Sequence, residues 1–402
     1  MSGEGLGRAV AAPAAGLVER VRMNRAEIFS VTINRFLAPI AEFLSDPSVS
    51  EIMINTPQEI YIEKNGEIVK TDAKFESEDA FLSAVTNILQ FTGKRLTADQ
   101  PLQDSRLPDG SRVHVILGPL SRRGTCVTIR KFAKVMFDAD NLARLGTWTP
   151  EAMEYLRLMV LGEKNILVAG GTSSGKTCLL NVLSAFIPHN QRIVVIEDSA
   201  ELELQQDHVI SLESRGPDRY GQGSVGIPEL FRSSLRLRPD RIIIGECRGG
   251  EALEIIQAMT SGHAGSMSTL HANSSLDALN RLETLCMMSK VELPLHALRA
   301  QIASAIDVLV QMTRFSDGRR DVTGIAEVLP LSRDGGYRVQ AMFAYELDEA
   351  SPTKAGKLIW TGAKSAFRDE QGMRVLRSQT KLTGGIFSGE RGDVPAAEEV
   401  GR

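Results

Sequence analysis

Residues 165–177 read NILVAGGTSSGKT, an apolar run that breaks into a glycine- and serine-rich turn and then a lysine–threonine pair. Within it, GGTSSGKT (170–177) is a complete G-x-x-x-x-G-K-[ST] pattern. At ordinary residue frequencies a chain of this length holds about 0.02 such matches by chance. The apolar run predicts a buried strand, and CLLNVLSAF (178–186) predicts the helix that should follow it. Gly170 and Gly175 let the backbone curl so that N–H groups face phosphate oxygens at a helix N-terminus. The candidate phosphate-binding set is therefore Gly170, Gly171, Thr172, Ser173, Ser174, Gly175, Lys176, Thr177 and Cys178. Lys176 is expected on the β- and γ-phosphates of a nucleoside triphosphate, and the Thr177 hydroxyl on Mg²⁺.

Further apolar runs lie downstream: RIVVIED (192–198), RIIIGE (241–246) and STLHA (268–272), separated by helical patterns. That alternation predicts a mostly parallel sheet flanked by helices over 148–345. The second run ends in Glu197-Asp198 with Glu201 close behind, and the third ends in Glu246. Acids at strand ends beside a P-loop point into the crevice at the carboxyl edge of the sheet. There they can hold Mg²⁺ through water or orient the attacking water, and Glu246 takes the metal-side position. A helix dipole alone would also place either acid. The stretch FRSSLRLRPDR (231–241) supplies Arg232, Arg236, Arg238 and Arg241, with Arg248 beyond it. Guanidinium suits phosphate clamping, and a solvated helix face is the alternative. SGHAGSMSTLHA (261–272) sets His263 and His271 around a short strand, as γ-phosphate sensors or as structural histidines. Two histidines without a third ligand do not make a zinc site.

Ahead of this region, 27–132 reads as a smaller α+β domain. SEIMIN (50–55) and EIYIEKNGEIV (59–69) are strands, the latter turning at Asn65-Gly66, and DAFLSAVTNILQFTG (79–93) is an amphipathic helix. RVHVILGPL (112–120) and TCVTIRKF (125–132) form a β pair that carries Arg112 and Arg130 amid apolar residues, where each must reach solvent or an anion. A linker is expected over 133–147, a flexible tail over 1–26, and a C-terminal extension ending in an acidic tail over 346–402. The chain's 402 residues, with 43% hydrophobic and 24% charged, exclude wholesale disorder. A net charge of −4 gives no global attraction to nucleic acid or anionic membrane. No run nears the roughly 18 apolar residues of a spanning helix. AVAAPAAGLV (9–18) makes a poor secretory segment, and four scattered cysteines suggest a reducing compartment.

Taken in order, GGTSSGKT, IEDSAELELQQ, LRLRPDRIIIGECRGGEA and TSGHAGSMSTLHANS resemble the type II/IV secretion system ATPase family. RLPDGSRVHVI, TIRKF and ALNRLETLCMMS make the chain most similar to its CpaF-type tight-adherence (Tad/Cpa) pilus assembly motors. The likeness spans about 35–330. It implies a PAS-like first domain, a RecA-like second domain and a homo-hexameric ring in the cytoplasm. The ring would dock on polytopic platform proteins at the inner membrane of a bacterium, peripheral to the bilayer, with no nucleic-acid partner. ATP and Mg²⁺ would be bound by Lys176 and Thr177, with Glu246 near the metal and Glu201 polarising the attacking water. His263 and His271 would form the family's His box, and Arg112 and Arg130 would reach the phosphates from the first domain. The resemblance implies a motor for a tight-adherence pilus or for secretion through its platform; a related type IV secretion or conjugation ATPase is the alternative, and a RecA-like nucleic-acid translocase a third reading. One departure stands out: serine at 173 or 174 replaces the family's glycine, which requires a negative φ there.

Overall fold

A computed structural model describes residues 35–131, 137–216, 222–289, 291, 293–347, 356–378 and 382–387. The chain divides into two compact units, Met1–Phe132 and Ala133–Arg402. The expected flexible tail over 1–26 and the acidic end over 388–402 lie outside the described residues.

The first unit is a six-stranded antiparallel sheet in the order β3-β2-β1-β6-β5-β4. Its strands are β1 (Val49–Thr56), β2 (Glu59–Lys64), β3 (Glu67–Lys70), β4 (Leu102–Arg106), β5 (Arg112–Ile116) and β6 (Cys126–Arg130). Asn65 and Gly66 turn β2 into β3 with φ of 51° and 86°, the paired positive angles a two-residue hairpin demands. The short α1 (Ala41–Ser45) leads into β1. In α2 (Glu78–Phe91) the Ser77 hydroxyl accepts from the Ala80 N–H at 3.1 Å and starts the helix. Phe81, Ala84, Val85, Ile88 and Leu89 then recur on one face and pack on Ile52, Ile54, Val113, Val115, Val127 and Ile129 of the sheet. Strand β4 was not foreseen, because LQDSR lacks the alternation that marks a half-buried strand.

The second unit is α/β. Its nine-stranded sheet runs β15-β14-β13-β12-β7-β11-β10-β8-β9. The strands are β7 (Ile166–Gly170), β8 (Ile193–Glu197), β9 (Val209–Glu213), β10 (Arg241–Ile244), β11 (Met267–Leu270), β12 (Val308–Arg314), β13 (Arg320–Leu329), β14 (Arg338–Leu347) and β15 (Gly356–Trp360). All pairings from β12 to β9 are parallel, and those from β12 to β15 are antiparallel. Strands β7, β8, β10 and β11 are buried along their whole length, which is why they read as unbroken apolar runs. One face is covered by α3 (Ala139–Arg144), α4 (Pro150–Leu161) and α5 (Lys176–Ser184). The other carries α6 (Ile227–Ser234), α7 (Glu251–Met259), α8 (Ser275–Met287) and α9 (Leu295–Ala305).

Two expectations about boundaries need correction. The segment 133–147 is more than a linker: α3 is capped by the Asp138 carboxylate and buries Leu142 in the large core, and the Trp148 indole donates to the Ala139 carbonyl at 3.0 Å. The boundary at 345 cuts through β14, and the supposed extension builds core. Leu358, Phe367, Met373 on α10 (Gln371–Arg377), and Ile386 and Phe387 on α11 (Gly384–Phe387) all join the cluster around α4. The wholly buried Glu327 carboxylate pins this segment, accepting from the Tyr155 and Ser365 hydroxyls at 2.7 and 2.6 Å and from the Ala366 N–H at 2.7 Å.

Candidate nucleotide site

The loop after β7 is shaped by sterics. A Cβ at Gly170 would lie 2.5 Å from the Ser174 hydroxyl and 2.6 Å from the Met312 carbonyl, so only glycine fits. Gly175 turns the chain into α5 with φ of 93°. Ser173 takes φ of 57°, so the expected negative angle is wrong: a serine sits in the left-handed region, at a cost of about 1 kcal/mol. Ser174 is buried, and its hydroxyl donates to the Gly171 carbonyl at 2.9 Å. The Lys176 ammonium curls back over the loop and donates to the carbonyls of Gly170 and Gly171 at 3.1 and 2.9 Å. Thr177 and Cys178 follow in the first turn of α5; burial pushes the Cys178 thiol up, so it stays protonated at neutral pH.

At the same carboxyl edge the ends of β8, β10 and β11 deliver a chain of polar contacts. His271, directly after β11, has Nδ1 3.4 Å from the Lys176 ammonium and Nε2 2.9 Å from the Glu246 carboxylate. Burial, followed by the nearby Lys176 charge, holds the imidazole below its usual range, so the neutral ring is favoured. Its partners then select the tautomer: Nε2–H donates to Glu246 and Nδ1 accepts from Lys176. The other Glu246 oxygen accepts from Arg248 at 2.5 Å, and Arg248 also faces Asp198 at 3.6 Å. P-loop lysine, histidine and strand-end acids thus form one network.

Glu201 lies within the electrostatic reach of Arg248, in the loop after β8. What holds that loop is Glu197, a residue the sequence reading passed over for a role of its own. Its buried carboxylate accepts from the Glu201 and Leu202 N–H groups at 2.9 and 3.1 Å. Gly245 makes room for it, since a Cβ there would come within 2.9 Å of the Glu197 Cγ.

Other candidates fall elsewhere. His263 does not join His271. It precedes β11 at the amino edge of the sheet, opposite the P-loop, and its Nδ1 is buried with no hydrogen-bond partner among the described residues. Arg241 opens β10 at that same edge. It is buried, donates to Gln191 at 2.7 Å and the Val160 carbonyl at 3.1 Å, and occupies the space where a Gly265 side chain would be. Arg238 ends the turn before it in a left-handed conformation, and Arg232 pairs with Glu229 at 3.0 Å on an exposed helix face. Arg232 thus stands on a solvated helix face, whereas Arg241 is a buried residue of the sheet edge opposite the P-loop.

In the first unit Arg112 and Arg130 are cross-strand partners, and Arg106 on β4 stands opposite Arg112. Paired positions share a face, so three guanidiniums line up on the side of the sheet away from α2. Arg106 was not among the expected residues, although its register follows once β4 is known.

A magnesium ion that arrives with phosphates needs only one or two protein oxygens. The Thr177 hydroxyl and the Glu246 carboxylate fit that requirement, and no cluster of three or more His, Cys, Asp or Glu able to hold a metal occurs among the described residues. Nor is any described helix long and apolar enough to cross a membrane.

The model of the family described as type II/IV secretion system protein matches residues 35–339. The type IV secretion system protein PtlH of Bordetella pertussis is 35% identical over 308 residues, covering 70% of this chain and 91% of its own length. The type IV secretion system protein VirB11 of Bartonella quintana is 32% identical over 325 residues, covering 72% and 91%. Among solved structures, the ATPase DotB of Legionella pneumophila shares the fold at a TM-score of 0.53 and 18% identity, covering 76% of this chain and 82% of its own. PtlH and VirB11 are named for type IV secretion, and the narrower tight-adherence resemblance is not supported by them.

Proposed function

The chain belongs to the type II/IV secretion system protein family and is an ATPase, and from that premise we propose that it is the hexameric motor of a type IV secretion or conjugation machine. The observation that carries the reading is the Lys176–His271–Glu246 chain, which couples the P-loop to the strand-end acid through a neutral imidazole. With ATP bound, Lys176 would leave its loop carbonyls for the β- and γ-phosphates, and His271 would report that move to Glu246. Thr177 and, through water, Glu246 would hold Mg²⁺, which supplies charge neutralisation on the phosphates. Glu201, held by Glu197, would orient the attacking water. Arg112 and Arg130, with Arg106 in line, would be the anion-binding residues of the first unit. Glu51 on β1 stands opposite Arg130 in the same register and supplies the row with one negative partner.

The motor would work in the cytoplasm against polytopic platform proteins at the inner membrane, without a nucleic-acid partner of its own. Lys176→Ala in source cells is expected to abolish both ATP turnover and cargo transfer while the protein level stays normal. Retained turnover would overturn the site. The second reading, a tight-adherence pilus motor, is favoured by RLPDGSRVHVI and ALNRLETLCMMS. Loss of surface pili with transfer intact in the same strain would select it.

A further inference from the structure

Strands β12 and β13 meet in a tight turn over 315–319, closed by the Phe315 N–H donating to the Arg319 carbonyl at 2.8 Å. Their register pairs Met312 with Val322 and Arg314 with Arg320. Side chains alternate along a strand, so Val308, Val310, Met312 and Arg314 share one face. The first three lie in the core with α5. Arg314 and its partner Arg320 carry that face one step past the sheet. Because β12 is hydrogen-bonded to β7 with Met312 opposite Gly170, the step ends beside the P-loop. The approach is close: a Cβ at Gly175 would lie 3.5 Å from the Met312 Cε and 3.6 Å from the Arg320 Cδ. The Arg320 charge is felt by Cys178 in the first turn of α5, where it opposes the effect of burial on the thiol. The turn's own acids, Asp317 and Asp321, are engaged by Arg319 at 2.7 and 3.5 Å.

Strand β7 lies between β11 and β12 in the sheet. Glu246 and His271 come from the β10–β11 flank, where the γ-phosphate and the attacking water must meet the acids. Arg314 and Arg320 come from the opposite flank, away from the bond that breaks. We infer that Arg320, supported by Arg314, is a nucleotide-binding residue that clamps the α- and β-phosphates from the β12 flank and so holds ATP and ADP alike. A guanidinium offers planar, permanently charged donors suited to two phosphate oxygens at once. The assignment rests on the P-loop being the nucleotide site.

The test is titration of the full chain with fluorescent ADP and fluorescent ATP analogues, paired with steady-state hydrolysis. Arg320→Ala is expected to raise the Kd of both nucleotides by the same factor, about tenfold for one lost charged contact. KM should rise with it, and by more than kcat falls. Arg320→Lys should recover part of the loss, since it keeps the charge without the fork. Arg320→Ala binding both nucleotides like the parent overturns the clamp, as does weakened ATP binding with ADP unchanged, which would move Arg320 to the γ-phosphate. Lys176→Ala separates the two levels. If it loses nucleotide while Arg320→Ala does not, only the clamp fails; if it binds like the parent, the P-loop site fails and the clamp with it.

Discussion

Replacing Glu197 by alanine should stop the motor without touching the nucleotide. The Glu197 carboxylate is 4% exposed and holds the N–H groups of Glu201 and Leu202 at 2.9 and 3.1 Å. Hydrogen bonds to a charged acceptor contribute about 1.5–3 kcal/mol each, so the two together tie down the loop by about 3–6 kcal/mol. Water entering the space left behind recovers part of this. Even a net loss of half the lower figure matches the ~1.4 kcal/mol that shifts a population tenfold. The loop would then leave the position that aims Glu201 at least about tenfold more often. A displaced catalytic group of this kind lowers turnover about 100-fold. The P-loop is untouched, so ADP affinity should stay within about twofold of the parent, well under the ~1.4 kcal/mol of a tenfold change. Gly245→Ala presses on the same side chain through a contact of 2.9 Å and should give a smaller loss in the same direction. Steady-state hydrolysis at saturating ATP, with ADP binding measured in parallel, decides it. If Glu197→Ala keeps kcat within about threefold of the parent, a change under ~1 kcal/mol, Glu197 does not position Glu201.

The remaining expectations are independent of that loop. His271 has its proton affinity lowered in the folded chain, so the unfolded state binds more protons once pH falls below the ordinary imidazole value of 6.5. Its contribution to stability is present above that value and lost below it; melting temperatures from pH 7.5 to 5.5 should fall more steeply in the parent than in His271→Gln, and equal slopes would refute the neutral-ring assignment. Ser173→Gly relieves a left-handed serine but frees the unfolded chain, for a net gain of at most about 1 kcal/mol in urea unfolding with turnover retained. A loss larger than that would mean the serine side chain holds the loop. Phe387→Ala should cost about 3–5 kcal/mol by the same measurement, because the ring is buried against the core and stacks at 6.2 Å from Tyr155. A change under about 1 kcal/mol would return the C-terminal segment to the status of a tail.

The P-loop and its flanking elements were legible because sterics demand those residues: Gly170 and Gly175 have no room or no conformation for anything else. The strand-end acids were legible because a fully buried parallel strand announces itself and its last residue is then known. His263 and Arg241 lie away from the P-loop although they share their motifs with His271 and Glu246. A four-residue strand separates His263 from His271, and a residue before a parallel strand lies at the edge opposite the one after it. Arg320 carried no motif at all. Its place depends on a hairpin register that is shifted by a bulge between Gln311 and Met312, which no local pattern reports. The C-terminal strands stayed hidden for a related reason: β14 and β15 are half exposed, so their apolar positions are diluted by polar ones. Glu197 was seen but read only as one acid in a row, since its task is to hold backbone, and backbone leaves no mark in the sequence.

The buried pair at the far edge of the sheet carries a historical consequence. Arg241 fills the space in which any side chain at 265 would have to stand, with its Nη1 only 1.4 Å from where a Cβ would be. The two positions are therefore epistatic, and the order of change is prescribed. A descendant of this sequence reaches a larger residue at 265 only after position 241 has shortened, and then still against the left-handed φ of 74° at 265, whereas the reverse order forces the buried Arg241 guanidinium out of its place.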